Sequence, residues 1–338
     1  RDFIASEVDP LEQSGGFFYL TPASDMSYKI LQGNCLDLLQ ELPEKSINTC
    51  VTSPPYFGLR NYGVDEQLGM EETIEDFVSN LVKVFQGVKR VLKDDGTVWL
   101  NLGDSYGAQK GKGFNTHADQ GTGNRVQEMQ KKYGDIKVKT GLPAKNLLGI
   151  PWRVALALQA DGWILRQDII WHKPNPMPES CRDRCTKAHE YIFLLSKNQK
   201  YYYDHEAIKE PSKFQYKGRY GPVKPSSVGK KNKELPGFEI RDGLKNMTGS
   251  YPTKNKRSVW TVTTKPCKEA HFATFPIDLI EPCVLAGSPE GGTVLDPFGG
   301  SGTTTIAAEK HKRNSILLEL NPEYIELAKD RIRQHENR

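Results

Sequence analysis

Thr293-Val-Leu-Asp296-Pro-Phe-Gly299-Gly-Ser-Gly302-Thr-Thr304 decides the fold: an apolar run ends in an acid, a glycine-rich turn follows, and a helix begins at a threonine-rich cap. Glycines allow positive φ and close approach of a ligand to the backbone, and a helix N-terminus presents free amides. The Gly-Lys-Ser/Thr step of a Walker A loop is absent, and so is the spacing of the dinucleotide fingerprint. The next apolar run, Ser315 to Leu320, carries Glu319 near its end and leads through Asn321-Pro322 into another helical pattern. An acid at that strand end can take both hydroxyls of a ribose, so the two turns together predict an adenosine-containing ligand.

Outward from this segment, strands and helices alternate. Further strands are expected at Tyr28 to Gln32, Ile47 to Thr52, Thr97 to Leu102, Ile164 to Trp171 and Tyr191 to Ser196. Helical periodicity covers Thr73 to Leu92, Trp152 to Asp161, Pro276 to Ala286, Gly302 to His311 and Pro322 to Gln334. This order predicts an α/β fold: a mostly parallel sheet with helices on both faces and ligands at the carboxyl ends of the strands.

A second loop, Val51-Thr-Ser53-Pro-Pro-Tyr56-Phe57, also follows directly on an apolar strand. Two successive prolines fix φ, remove two backbone donors and push Ser53 out of the helical region. The Ser53 hydroxyl and the Pro54 carbonyl can both accept from one NH2 group, and an adjacent aromatic ring can stack on a planar base. Paired acceptors on an exocyclic amine favour a more tetrahedral nitrogen, whose lone pair is then free to meet an electrophile.

The 338 residues, 37% hydrophobic and 26% charged, suffice for one large domain with an insert or for two modest ones. No run approaches the roughly 18 to 20 apolar residues of a membrane span, and Arg1 to Leu20 does not read as a leader, so neither secretion nor membrane insertion is expected. Cys35, Cys50, Cys181, Cys185, Cys267 and Cys283 are scattered, as reduced thiols in an intracellular compartment would be. Cys181, Cys185 and His189 have a metal-like spacing, but the CxxC pairs of zinc sites are missing; no metal is expected.

The net charge of +4 hides an uneven distribution. Residues 105–148 carry a local +5 and residues 206–268 a local +10, which leaves an acidic remainder of −11. Both basic segments are rich in glycine or proline, and Tyr216, Tyr220, Phe238, Tyr251 and Trp260 stand among the cations of the second. Such segments suit a polyanion, since Lys and Arg clusters displace counterions from phosphates; a solvated surface is the alternative.

Ser53-Pro-Pro-Tyr56 together with Asp296-Pro-Phe-Gly-Gly-Ser-Gly-Thr-Thr304 resembles the S-adenosylmethionine-dependent amino-methyltransferases of DNA, which methylate cytosine N4 or adenine N6. The order, with Ser53 lying 243 residues before Asp296, resembles the circularly permuted β class of that family. Ile316-Leu-Leu-Glu319-Leu-Asn-Pro-Glu-Tyr looks like its ribose-binding strand, and His271-Phe-Ala-Thr-Phe275-Pro276 like its cofactor-contacting segment. The resemblance implies a Rossmann-like methyltransferase fold built from 28–205 and 265–338. It also implies a target-recognition insert at 206–264 and leaves 1–27 as an N-terminal extension.

Carried over residue by residue, the resemblance implies a catalytic loop of Ser53, Pro54, Pro55 and Tyr56. It implies cofactor contacts from Asn34, Phe275, Pro276, Asp296, Pro297, Phe298, Gly299, Gly300, Gly302, Thr303, Thr304 and Glu319. Asn34 departs from the family, which often has an aspartate there to receive the adenine amine; Asn34 can accept without charge. Lys230, Lys231, Lys233, Lys254, Lys256 and Arg257 are the expected contacts to DNA phosphates. His172 and Lys173 either line the target pocket or only pack.

The implied reaction is direct transfer of the sulfonium methyl to a base amine, flipped out of double-stranded DNA and stacked on Tyr56. No cysteine nucleophile is needed. Ser53, where most adenine enzymes of the family have a carboxylate, favours N4-methylcytosine over N6-methyladenine. The alternatives are a methyltransferase of RNA or of a protein amide, whose loops usually begin with Asn, and a DNA-binding module with a decayed site. The resemblance further implies double-stranded DNA as partner, with either a restriction endonuclease beside it or an orphan enzyme, a monomer or homodimer, and a cytoplasmic location in a bacterium or a nuclear one in a eukaryote.

Overall fold

Ile47-Asn-Thr-Cys-Val-Thr52 is buried at five of its six positions, as a strand in the interior of a parallel sheet must be. The computed structural model describes residues 28–58, 64, 66–107, 140–212, 253–264 and 275–336. Along these residues run β1 (Tyr28–Gln32), α1 (Cys35–Glu41), β2 (Ile47–Thr52), α2 (Ile74–Val91), β3 (Leu92–Leu102), α3 (Ile150–Ala160), β4 (Ile164–His172) and β5 (His189–Ser196). After them come β6 (Glu210–Pro211), β7 (Thr253–Lys254), β8 (Val259–Thr261), α4 (Ile277–Gly287), β9 (Thr293–Asp296), α5 (Thr303–Lys310), β10 (Asn314–Glu319) and α6 (Pro322–Glu336).

Eight strands form one sheet in the order β1-β10-β9-β2-β3-β5-β4-β8. β1, β10, β9, β2 and β3 are parallel neighbours, β5 runs antiparallel between β3 and β4, and β8 joins β4 in parallel. The mostly parallel α/β expectation is met. Alternation along β3 shows how both faces are covered. Val98, Leu100 and Leu102 belong to the core built with α1, α2 and α3. Trp99 points the other way, where Gly287 of α4 leaves room for it: a Cβ there would stand 2.8 Å from the indole nitrogen. Helix α6 closes β1 and β10 through Ile325, Ala328 and Ile332.

Most expected elements appear within two residues of their expected ends. Helix α1 was not anticipated, and β3 begins five residues early, because Leu92 pairs with Ile47. The chain divides into two compact units, His205–Lys256 and the remainder. In the smaller unit β6 and β7 pair antiparallel, Glu210 opposite Lys254. Residues 257–264, assigned above to the recognition insert, instead contribute β8 to the large sheet; Trp260 is buried, with its ring 6.4 Å from that of Trp99. Most of the basic loop 105–148, Lys230, Lys231, Lys233, Cys267 and the His271 to Thr274 part of the expected cofactor segment lie outside the described residues.

Candidate active site

Strands β2 and β9 are adjacent and parallel, so the two motif loops leave the sheet side by side at its carboxyl edge. A buried junction joins them. Thr52 Oγ1, one residue before Ser53, donates to Asp296 Oδ1 at 2.6 Å. Thr304 Oγ1, in the first turn of α5, donates to Asp296 Oδ2 at 2.6 Å, and the Phe298 amide donates to Oδ1 at 3.1 Å. Burial pushes the Asp296 carboxyl up to about 6, against the pull of these three bonds. Asp296, expected among the cofactor contacts, is only 2% exposed and spends both oxygens inside the protein.

The glycine turn folds over the end of β10. Gly299 donates its amide to the Leu318 carbonyl at 2.8 Å, and a Cβ on Gly299 would stand 2.8 Å from Leu317 Cβ. Gly300 and Gly302 have φ of 50° and 77°, the left-handed region that glycine occupies without strain. Arg331 of α6 braces the turn, donating to the Ser301 carbonyl at 2.5 Å and to Thr303 Oγ1 at 3.2 Å.

Glu319 stands at the end of β10, accepting from the Gly300 amide at 2.7 Å and the Asn321 amide at 2.8 Å. Burial raises its carboxyl above the ordinary range; the Asn321 and Gly300 amides oppose the shift, Asp296 adds to it, and the Leu320 amide opposes it as well. A carboxylate has about four acceptor positions, so these backbone amides do not exhaust it. Beside it, nothing lies closer than 3.8 Å to where a Cβ on Gly300 would stand. An acid with spare acceptors next to a bare, open backbone fits the ribose of an adenosyl group.

Asn34 sits on the neighbouring strand end, but its Oδ1 accepts from the Leu36 amide at 3.0 Å as the N-cap of α1, and its Nδ2 donates to Glu66. The N-cap bond takes one of the two lone pairs of the oxygen expected for an adenine amine. Pro276 is buried as the N-cap residue of α4, with Phe275 half-buried before it. Pro297, Gly299, Gly302, Thr303 and Thr304 are buried, and Phe298 and Gly300 partly exposed.

In the second loop Pro54 is buried, while Ser53, Pro55 and Tyr56 are partly exposed. The Tyr56 hydroxyl donates to Glu190 Oε2 at 2.8 Å, and the Asn101 amide reaches the same oxygen at 3.3 Å. Lys173 Nζ pairs with the other oxygen of Glu190. His172 instead faces β8, its Nδ1 3.1 Å from Thr261 Oγ1. Neither Glu190, Asn101 nor Thr52 stands out in the sequence, because each lies within or beside an otherwise apolar strand. Burial raises the Cys35 thiol to about 12 and the Cys50 thiol well above its ordinary value, which keeps both protonated. Among the described residues no group of three or more His, Cys, Asp or Glu could hold a metal ion. Of the expected phosphate contacts, Lys254 pairs with Glu210 at 3.4 Å and Arg257 is exposed.

Residues 47–330 match the DNA methylase family of N6 and N4 methyltransferases. The Type II methyltransferase M.SmaI of Serratia marcescens is 45% identical over 306 residues, which cover 90% of this chain and 91% of that one. Among solved structures, the cytosine-N4-specific PvuII DNA methyltransferase superposes with a TM-score of 0.58 at 20% identity, covering 95% of this chain and 96% of its own. A Thermus thermophilus protein, a DNA modification methylase by its description and solved in complex with S-adenosyl-L-methionine, does so with 0.52 at 23% identity, covering 90% and 95%.

Proposed function

The chain belongs to the N6/N4 DNA methylase family, and from that premise we propose that it methylates the exocyclic N4 of a flipped-out cytosine in double-stranded DNA. S-adenosylmethionine supplies an electrophilic methyl on a sulfonium. Glu319 accepts from the ribose hydroxyls, and the Gly299 to Gly302 turn lets the adenosyl group lie against the backbone. Asp296 serves this pocket indirectly, by holding the turn to β2.

The observation that carries the proposal is the Thr52 to Asp296 bond, which ties the loop for the amine to the loop for the methyl donor. Ser53 Oγ and the Pro54 carbonyl accept from the two hydrogens of the target amine, leaving its lone pair directed at the methyl. Tyr56 stacks on the base. Transfer would exchange the S–CH3 bond of the donor for an N–CH3 bond, with the neutral thioether S-adenosylhomocysteine as leaving group; the amine gives one of its protons to solvent, and the methylated base returns to the duplex. A neutral hydroxyl at Ser53 favours cytosine, because it sets no buried charge beside the carbonyl-bearing edge of a pyrimidine. The basic insert, with Lys254 and Lys256, reads the target, and together with Arg257, which follows it in sequence, holds the phosphate backbone. A Type II enzyme of this kind acts in a bacterial cytoplasm beside an endonuclease of the same specificity.

Expression in a host without amino-methylated DNA, followed by single-molecule sequencing, tests this. N4-methylcytosine in one fixed sequence context is the expected result. Methyladenine in such a context would overturn the cytosine assignment, and unmodified DNA would overturn the enzyme.

A further inference from the structure

Tyr56 is held more firmly than stacking alone requires. Its ring rests on Gly103, where an added Cβ would stand 2.5 Å from Tyr56 Cε2. Its hydroxyl is fixed by Glu190, and Glu190 is fixed in turn by Asn101 and Lys173. The side chains of this ion pair are largely covered, Glu190 15% and Lys173 19% exposed, and the Lys173 ammonium lies 4.2 Å above the Trp171 ring. Glu190 is opposite Trp171 in the β4–β5 ladder, and Asn101 is on β3, so three strands of the sheet converge on one phenol.

A covered ion pair returns little net stability once desolvation is counted. Its use beside the second motif loop needs another reason, and the phenol supplies one. A tyrosine on a loop can rotate about two side-chain bonds. The contact with Gly103 limits the ring plane, and a charge-assisted bond at the hydroxyl fixes its long axis. Resting on the methyltransferase reading above, we propose that Glu190 is a positioning residue for the reaction. Clamped by Lys173 and Asn101, it sets the Tyr56 ring in the plane that receives the flipped base. Its action runs wholly through Tyr56.

The test compares Tyr56→Phe, Glu190→Gln, Glu190→Ala and the Tyr56→Phe/Glu190→Ala double variant. The substrate is duplex DNA carrying the methylated sequence context found by sequencing. Tyr56→Phe and Glu190→Ala should each lower kcat about tenfold or more, the scale of one missing hydrogen bond to a charged group. Cofactor affinity by calorimetry should stay unchanged. Glu190→Gln keeps an acceptor and should recover most of the rate. The double variant should be no slower than Tyr56→Phe, and 2-aminopurine at the target position should be brighter in Glu190→Ala than in the parent, because it is less stacked.

A merely structural role for Glu190 would make the two losses multiply, which overturns the proposal. Should Glu190→Ala fail to fold, Tyr56→Phe decides, because it leaves the Lys173 pair intact: an unchanged kcat there also overturns the proposal. Failure of the parent enzyme to methylate DNA would count against the methyltransferase reading instead.

Discussion

Asp296→Asn isolates the energetic cost of the junction between the two loops. The carboxyl has an ordinary pKa of 3.8 and sits at about 6 in the folded protein, where burial disfavours its charge. About two pH units at 1.36 kcal/mol each give a penalty of about 3 kcal/mol once the group is ionised. The sign follows from where the proton goes. Below about pH 4 both folded and unfolded chains hold it, and the penalty vanishes. Between about 4 and 6 the unfolded chain releases the proton first, so stability falls as pH rises, and above 6 the full penalty applies. Asparagine carries no charge at any of these values. Its carbonyl oxygen can still accept from Thr52 and Phe298, while Thr304 has to turn its hydroxyl to accept from the new NH2 group. That rearrangement adds an offset that does not vary with pH. Urea unfolding of both proteins from pH 4 to 7 should therefore find the parent losing about 2 to 2.5 kcal/mol more than Asp296→Asn over the range. Parallel curves would refute a buried, ionising Asp296.

Three other outcomes follow from the same geometry. Glu319→Ala should weaken S-adenosylmethionine binding roughly ten- to a hundredfold by calorimetry, since each hydrogen bond to a carboxylate contributes about 1.5 to 3 kcal/mol; unchanged affinity would remove Glu319 from the ribose site. Gly103→Ala should displace the Tyr56 ring, lowering turnover while cofactor affinity holds, because the new methyl would stand 2.5 Å from Cε2. Replacing Lys230, Lys231, Lys233, Lys254, Lys256 and Arg257 should flatten the salt dependence of DNA binding by about 0.9 in log K per decade of salt for each phosphate no longer neutralised. An unchanged slope in binding titrations would reduce these residues to a solvated surface.

The parallel sheet was legible because β2, β9 and β10 are short apolar runs ending in turn chemistry, and α2 has an apolar stripe flanked by Thr73 and by Lys89 and Arg90. Helix α1 was not, since seven residues give less than two full turns of period; its one local signal is Asn34, whose side chain the family resemblance assigns to a ligand instead. β8 is three residues long and exists through its pairing with Ile170, Trp171 and His172, about ninety residues earlier. The same limit hid half of the site. Ser53, Tyr56 and the glycine turn announce themselves by local composition. Glu190 is joined to Tyr56 across 134 positions and Thr52 to Asp296 across 244, distances that only the fold closes.

The central claim is that the methyl passes to an exocyclic nitrogen of cytosine that is held between Ser53 and Pro54. Purified protein, unmodified duplex DNA and S-adenosylmethionine labelled in its methyl group, followed by hydrolysis to nucleosides and mass spectrometry, test it most directly. Label is expected in N4-methyldeoxycytidine, and it should be abolished in Ser53→Ala while cofactor affinity remains. Label in N6-methyldeoxyadenosine would contradict the choice of base, and label in 5-methyldeoxycytidine would contradict transfer to an amine altogether.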